Sequence, residues 1–151
     1  MRHILCFGNP LHGDDGFGHA VYKRLANLPQ PVGQRLIDAG TPGPAALGLF
    51  QDCDEVIVVD ALTPGHHPGK LFELAPDEIM NEVSLAGHGV GIGFLLKALD
   101  ALSEQPPVIR IIAVEAISVM PFQPGLSKAV AEAVDEAATL LSVYFTSNKH
   151  E

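Results

Sequence analysis

Tryptophan is missing from this chain and aromatic residues make up only 6 % of it, so any core has to be built from aliphatic side chains. Cysteine occurs twice, as Cys6 and Cys53, with no C-x-x-C spacing. That pattern reads as buried thiols rather than a disulfide scaffold or a thiolate metal site. Cations are scarce: nine Lys and Arg stand against eighteen Asp and Glu, for a formal charge of −9. A nucleic-acid partner is disfavoured, because neutralising phosphates takes clustered Lys and Arg. Long apolar runs are also missing; none approaches the roughly 20 residues of a membrane span. Met1-Arg2-His3 leads straight into a strand pattern with no signal-like apolar region or cleavage site. The expectation is a cytoplasmic protein with no nucleic-acid or membrane partner.

What is present is a chain of 151 residues, 47 % hydrophobic, enough for one globular domain. Residues 1–145 are expected to form that domain and 146–151 a disordered tail. Apolar runs rich in β-branched residues alternate with stretches of helical periodicity. Strands are predicted at 3–8, 34–38, 55–60 and 108–114, with a further short one at 70–74. Helices are predicted from Asp15 to Leu28, from Thr41 (as N-cap, with Pro42 first) to Gln51, from near His88 through Leu102, and from Leu126 to Tyr144. Such alternation predicts a single-domain α/β fold. Its twisted, mostly parallel sheet has about five strands, with helices on both faces. Ligands of such sheets bind beyond the carboxyl ends of the strands.

The stretch around which the chain is organised is Phe7–Gly18, FGNPLHGDDGFG. It reads as a strand end, a glycine-rich loop and a helix start. Loops of this kind often cradle phosphate, but this one has no Lys, and Asp14-Asp15 would repel an anion. One carboxylate can cap a helix while the other is solvated. Either can also ligate a metal.

Three polar positions fall at strand ends or at the helix starts facing them: Asp15, Asp60 closing EVIVVD, and His88. Two carboxylates and an imidazole suit a three-ligand site for zinc, nickel, cobalt or manganese. They equally suit acid/base work on a water. His19, four residues past Asp15, is the reserve ligand, and His66-His67 reads as solvated in a Pro/Gly loop. No G-x-S-x-G elbow surrounds Ser84, Ser118 or Ser127, and Cys6 lies inside a strand, so neither supplies a credible nucleophile.

GNPLHGDDGFG at 8–18, Asp38-Ala-Gly-Thr41, VVDA at 58–61, His88 before a helix and GLS at 125–127 occur in one order and spacing. Together they resemble the [NiFe]-hydrogenase maturation endopeptidases over nearly the whole chain. The resemblance implies a phosphorylase/hydrolase-like α/β domain. It implies an endopeptidase that removes a short C-terminal peptide from the nickel-loaded large-subunit precursor of a hydrogenase. It also implies carboxylate- or metal-dependent peptide hydrolysis of aspartic type, with Asp15, Asp60 and His88 as the nickel-reading set and Asp15 and Asp60 as catalytic residues. Nickel would arrive with the substrate, replaceable by zinc or cadmium in vitro, and the enzyme would be a monomer. Relatives often hold Glu where Asp15 stands, so the shorter side chain would draw the metal nearer the loop. The alternatives are a non-catalytic, chaperone-like nickel-binding module and a peptidyl-tRNA hydrolase-like enzyme. The second shares only Gly8-Asn9-Pro10 and is poorly served by the charge. Residues 63–69 and 118–125 are the expected docking segments for the precursor.

Overall fold

The three apolar runs at the centre of the chain's sheet become strands that bury both faces, and two less buried strands flank them. In the computed structural model, which describes residues 1–80 and 91–146, these are β1 (Arg2–Phe7), β2 (Gln34–Gly40), β3 (Glu55–Leu62), β4 (Leu71–Leu74) and β5 (Val108–Glu115). They form one sheet in the order β2-β1-β3-β5-β4. Four strands are parallel, and β4 joins the edge antiparallel to β5. The described helices are α1 (Phe17–Ala26), α2 (Pro76–Met80), α3 (Ile92–Leu102) and α4 (Lys128–Leu141).

The pleat sends alternate residues of each strand to opposite faces, and two cores result. Ile4, Cys6, Ile57, Val59, Ile112 and Val114 pack with Phe17, Val21 and Leu25 of α1 and with Val130, Val134, Ala137 and Leu141 of α4. Leu5, Phe7, Val56, Val58, Ile111 and Ala113 pack with Ala46, Phe50 and the α3 stripe Ile92, Leu95, Leu96 and Leu99. Helices therefore cover both faces, as expected. The small aromatic share suffices because three phenylalanines, Phe7, Phe17 and Phe50, are essentially fully buried.

Three boundaries differ from the sequence reading. Asp15 does not open α1; it lies in a 3-10 turn, Gly13–Gly16, and α1 starts at Phe17. The second helical stretch is a 3-10 run, Pro44–Phe50, entered through Gly43, so Thr41 and Pro42 precede it rather than cap it. Pro44, not Pro42, supplies the fixed φ suited to a first helical position. The last α-helix starts at Lys128 and ends at Leu141, continued by a 3-10 turn, Ser142–Tyr144. No helix among the described residues is long and apolar enough to cross a membrane.

Candidate active site

The loop after β1 turns back over the strand it has just left, and two glycines make that possible. Gly8 has φ +135° and donates its N–H to the Gly40 carbonyl at 2.8 Å, tying the ends of β1 and β2 together. A Cβ there would lie 2.0 Å from the carbonyl oxygen of Asp15. Gly18 lets α1 approach β1 equally closely; its Cβ would lie 2.0 Å from the Phe7 carbonyl oxygen. The two turns of chain are thus pressed together, and Asp15 is brought to the strand end, where Oδ2 accepts the Asn9 N–H at 2.9 Å.

Asp14, its neighbour, points the other way and is fully buried. Oδ2 accepts the N–H of Ile117 at 2.9 Å, the N–H of Ser118 at 3.0 Å and the Ser127 hydroxyl at 2.8 Å. Oδ1 accepts the Ser127 N–H at 2.7 Å. Burial alone would push this carboxyl up. The donors from Ser118, Ser127 and Ile117 outweigh it and hold Asp14 below the usual carboxylate range. Asp14 is therefore an anionic clamp joining the first loop, the segment after β5 and the start of α4. The sequence reading treated it as a cap or a solvated charge; the only signal of this role was a polar GLS ahead of the last helix.

Asp60 lies near the end of β3 and is 9 % exposed. Its parity with Val56 and Val58 puts it on the α3 side of the sheet. Burial raises its carboxyl well above the usual range, the Asp15 charge raises it further, and the Ala61 N–H on Oδ1 at 2.8 Å only partly opposes this. Asp15 and Asp60, 45 positions apart in sequence by their numbers, are thus within electrostatic reach across the carboxyl edge of the sheet. Cys6 is pushed up by burial first and then by Asp38 and Asp60. The same strand end therefore gathers a third carboxylate, Asp38, paired in register with Cys6. The sequence reading noted Asp38 only as part of a motif. Its Oδ2 lies 2.8 Å from His19 Nδ1.

A buried carboxyl whose ionisation is disfavoured by its surroundings, beside a second carboxylate, can hold or move a proton at a peptide bond. Among the described residues no group of three or more His, Cys, Asp and Glu side chains is arranged to hold a metal ion. Asp15 and Asp60 supply hard oxygen donors that suit part of a nickel or zinc shell and leave the rest to other ligands.

A family profile described as hydrogenase maturation protease matches residues 20–142, a span that includes Asp60. A protein of Methanocaldococcus jannaschii, provisionally assigned as a hydrogenase maturation protease, is 36 % identical over 91 % of this chain and 92 % of its own length. This chain belongs to the hydrogenase maturation protease family. The solved structure of the hydrogenase maturating endopeptidase HybD from E. coli superposes with a TM-score of 0.78. It is 25 % identical over 95 % of this chain and 90 % of that one. A hydrogenase 2 maturation peptidase from a Thaumarchaeota archaeon gives 0.69 at 27 % identity, over 96 % and 97 % of the two chains.

The chain is accordingly a peptidase of hydrogenase maturation, and the peptidyl-tRNA hydrolase and non-catalytic alternatives are set aside. Of the residues expected to form the protease site, Asp15 and Asp60 are brought together. His88 lies outside the described residues. His19, the reserve ligand, is paired through Nδ1 with Asp38, an arrangement that fixes the ring. Both cysteines are free, and the raised Cys6 thiol is no nucleophile. His66 and His67 are exposed; the His67 N–H is held by Glu115 Oε1 at 2.7 Å.

Proposed function

We propose that this protease removes a short C-terminal peptide from the nickel-loaded large-subunit precursor of a [NiFe] hydrogenase, with Asp15 and Asp60 as its working carboxylates. The observation that carries the reading is the raised, buried carboxyl of Asp60 with Asp15 as a source of its shift. Two like charges at one low-dielectric edge do not both ionise freely. Nickel seated in the precursor would bring positive charge to this edge and favour the ionised form of Asp60. Cleavage would then follow metal insertion because only a loaded precursor brings that charge. His88, on the segment leading to α3, is proposed to complete the set that reads the nickel, and zinc or cadmium would substitute in vitro.

Of the two oxygens of Asp15, one accepts Asn9 N–H, and the other is proposed to take a proton from a water attacking the scissile carbonyl. A C–O bond forms, the C–N bond breaks, and the proton passes from Asp15 to the departing amine. The strand-held Asp60 orients the pair. A monomer working in the cytoplasm on a folded precursor is the setting this reading implies.

The test is intact-mass analysis of the large subunit in a host lacking this gene and complemented with wild type or Asp60→Asn. The expected result is a precursor that keeps its C-terminal extension in the deletion and with Asp60→Asn, and loses it with wild type. Full processing by Asp60→Asn would overturn the assignment.

A further inference from the structure

Residues 116–127 carry no charged side chain, although 18 % of the whole chain is charged. The Asp14 clamp fixes this segment to the loop that carries Asp15. Besides its carboxylate bonds, the Asp14 N–H donates to the Ser118 carbonyl at 2.8 Å and the Gly13 N–H to the Gln123 carbonyl at 2.8 Å. The segment is therefore as firmly placed relative to the acid pair as the first loop itself. Three of its apolar side chains face outward, while Ala116 is buried and Leu126 packs against the core. Ile117 is 44 % exposed, Met120 52 % and Phe122 80 %, and Leu11 on the adjoining loop is 52 % exposed. Phe122 has φ +58°, a region that bulky side chains rarely occupy. Its ring meets His12 edge-on at 5.6 Å between centroids. A fold that holds an aromatic residue in a strained backbone and leaves it in water gains nothing for its own core from doing so.

We infer that this ledge, Leu11, Ile117, Met120 and Phe122, is the docking surface for an apolar, uncharged segment of the large-subunit precursor next to the bond that is cut. The inference rests on the protease reading, because it takes the acid pair as the place of cleavage. A second copy of this chain fits the ledge poorly. Four side chains cover far less than the ~800 Å² per partner of a stable interface, and two chains of charge −9 meeting at their acidic edges repel each other. A transient enzyme–substrate contact with one aromatic anchor matches the size of the patch.

The test uses Phe122→Gly, which removes the ring and relieves the positive φ, so thermal stability should hold or rise. Steady-state processing of purified hydrogenase large-subunit precursor should show KM raised about tenfold, as for loss of an aromatic anchor, with kcat within about twofold. Met120→Ser should shift KM in the same direction, and Val32→Ser, fully exposed elsewhere, should not. Unchanged KM in both Phe122→Gly and Met120→Ser, while Asp60→Asn is inactive, would overturn the docking surface and leave the protease reading standing. A processing-competent Asp60→Asn would count against the acid pair as the place of cleavage instead. A change from dimer to monomer in Phe122→Gly, with KM unchanged, would assign the ledge to a second copy and also overturn the inference.

Discussion

The Asp14 carboxylate takes both the backbone N–H of Ser127, at 2.7 Å, and its hydroxyl, at 2.8 Å. Residues 113 positions apart are joined by a bidentate bond at the start of α4. The acidic pair of the first loop thus has divided duties: Asp14 holds the frame, and Asp15 faces the edge where Asp60 waits.

That division makes Asp14→Asn a stability variant. An amide presents a donor where four donors already converge, so a buried N–H is left unmatched. The expected loss is about 2–4 kcal/mol in urea unfolding, and Ser127→Ala should lose about 1 kcal/mol. The wild type should also show an acid limb traceable to this group. Because the folded Asp14 is held below its ordinary value, the unfolded chain binds more protons between the two values. Its stabilisation is present above about pH 4 and disappears as pH falls through the lowered folded value. Asp14→Asn should lack that part of the limb; an unchanged acid transition would refute the clamp.

Asp60 has the opposite sign. Its folded value is raised, so the folded chain holds a proton that the unfolded chain releases, and stability falls as pH rises from about 4 through the raised value. Asp60→Asn should be more stable than wild type at neutral pH, with a higher Tm, while inactive in processing. Melting curves from pH 5 to 8 check it. A variant less stable than wild type across that range would mean that Asp60 is not held against its own ionisation.

Gly8→Ala tests the close approach of the two loop strands. A methyl group cannot occupy a point 2.0 Å from the Asp15 carbonyl oxygen, and φ +135° is closed to it besides. A loss of about 2–4 kcal/mol is expected, with processing lost as Asp15 moves. Wild-type melting and turnover in Gly8→Ala would contradict the geometry.

His19→Gln distinguishes the reserve ligand from a structural partner. His19 and Asp38 are each about one-third exposed, so the pair is screened and its coupling should stay below about 1 kcal/mol in a double-mutant cycle. Processing should stay within about twofold of wild type. A drop beyond tenfold with unchanged Tm would bring His19 into the chemistry.

Much of this protein was decided locally. The β-branched run EVIVVD can be little other than a buried strand, and the i, i+3, i+4, i+7 spacing of Ile92, Leu95, Leu96 and Leu99 can be little other than a helix face, because burial selects those periods. The alternation of the two kinds of segment was enough to imply helices on both sides of a mostly parallel sheet, and strand-end positions were enough to single out Asp15 and Asp60. Local pattern did not separate a 3-10 run from an α-helix at 44–50, nor tell which proline would open it, since both choices satisfy the same residues. Only the tertiary structure showed what Asp14 does. Adjacent in sequence and chemically identical, Asp14 and Asp15 differ because the donors of Ile117, Ser118 and Ser127 reach one, while the other is left beside Asp60. The raised carboxyl of Asp60 and the tie that holds the 117–122 ledge, part of a segment expected from the sequence to dock the precursor, against the first loop have the same origin. Each depends on which distant segments are packed against a residue, and that information is absent from the neighbours it has along the chain.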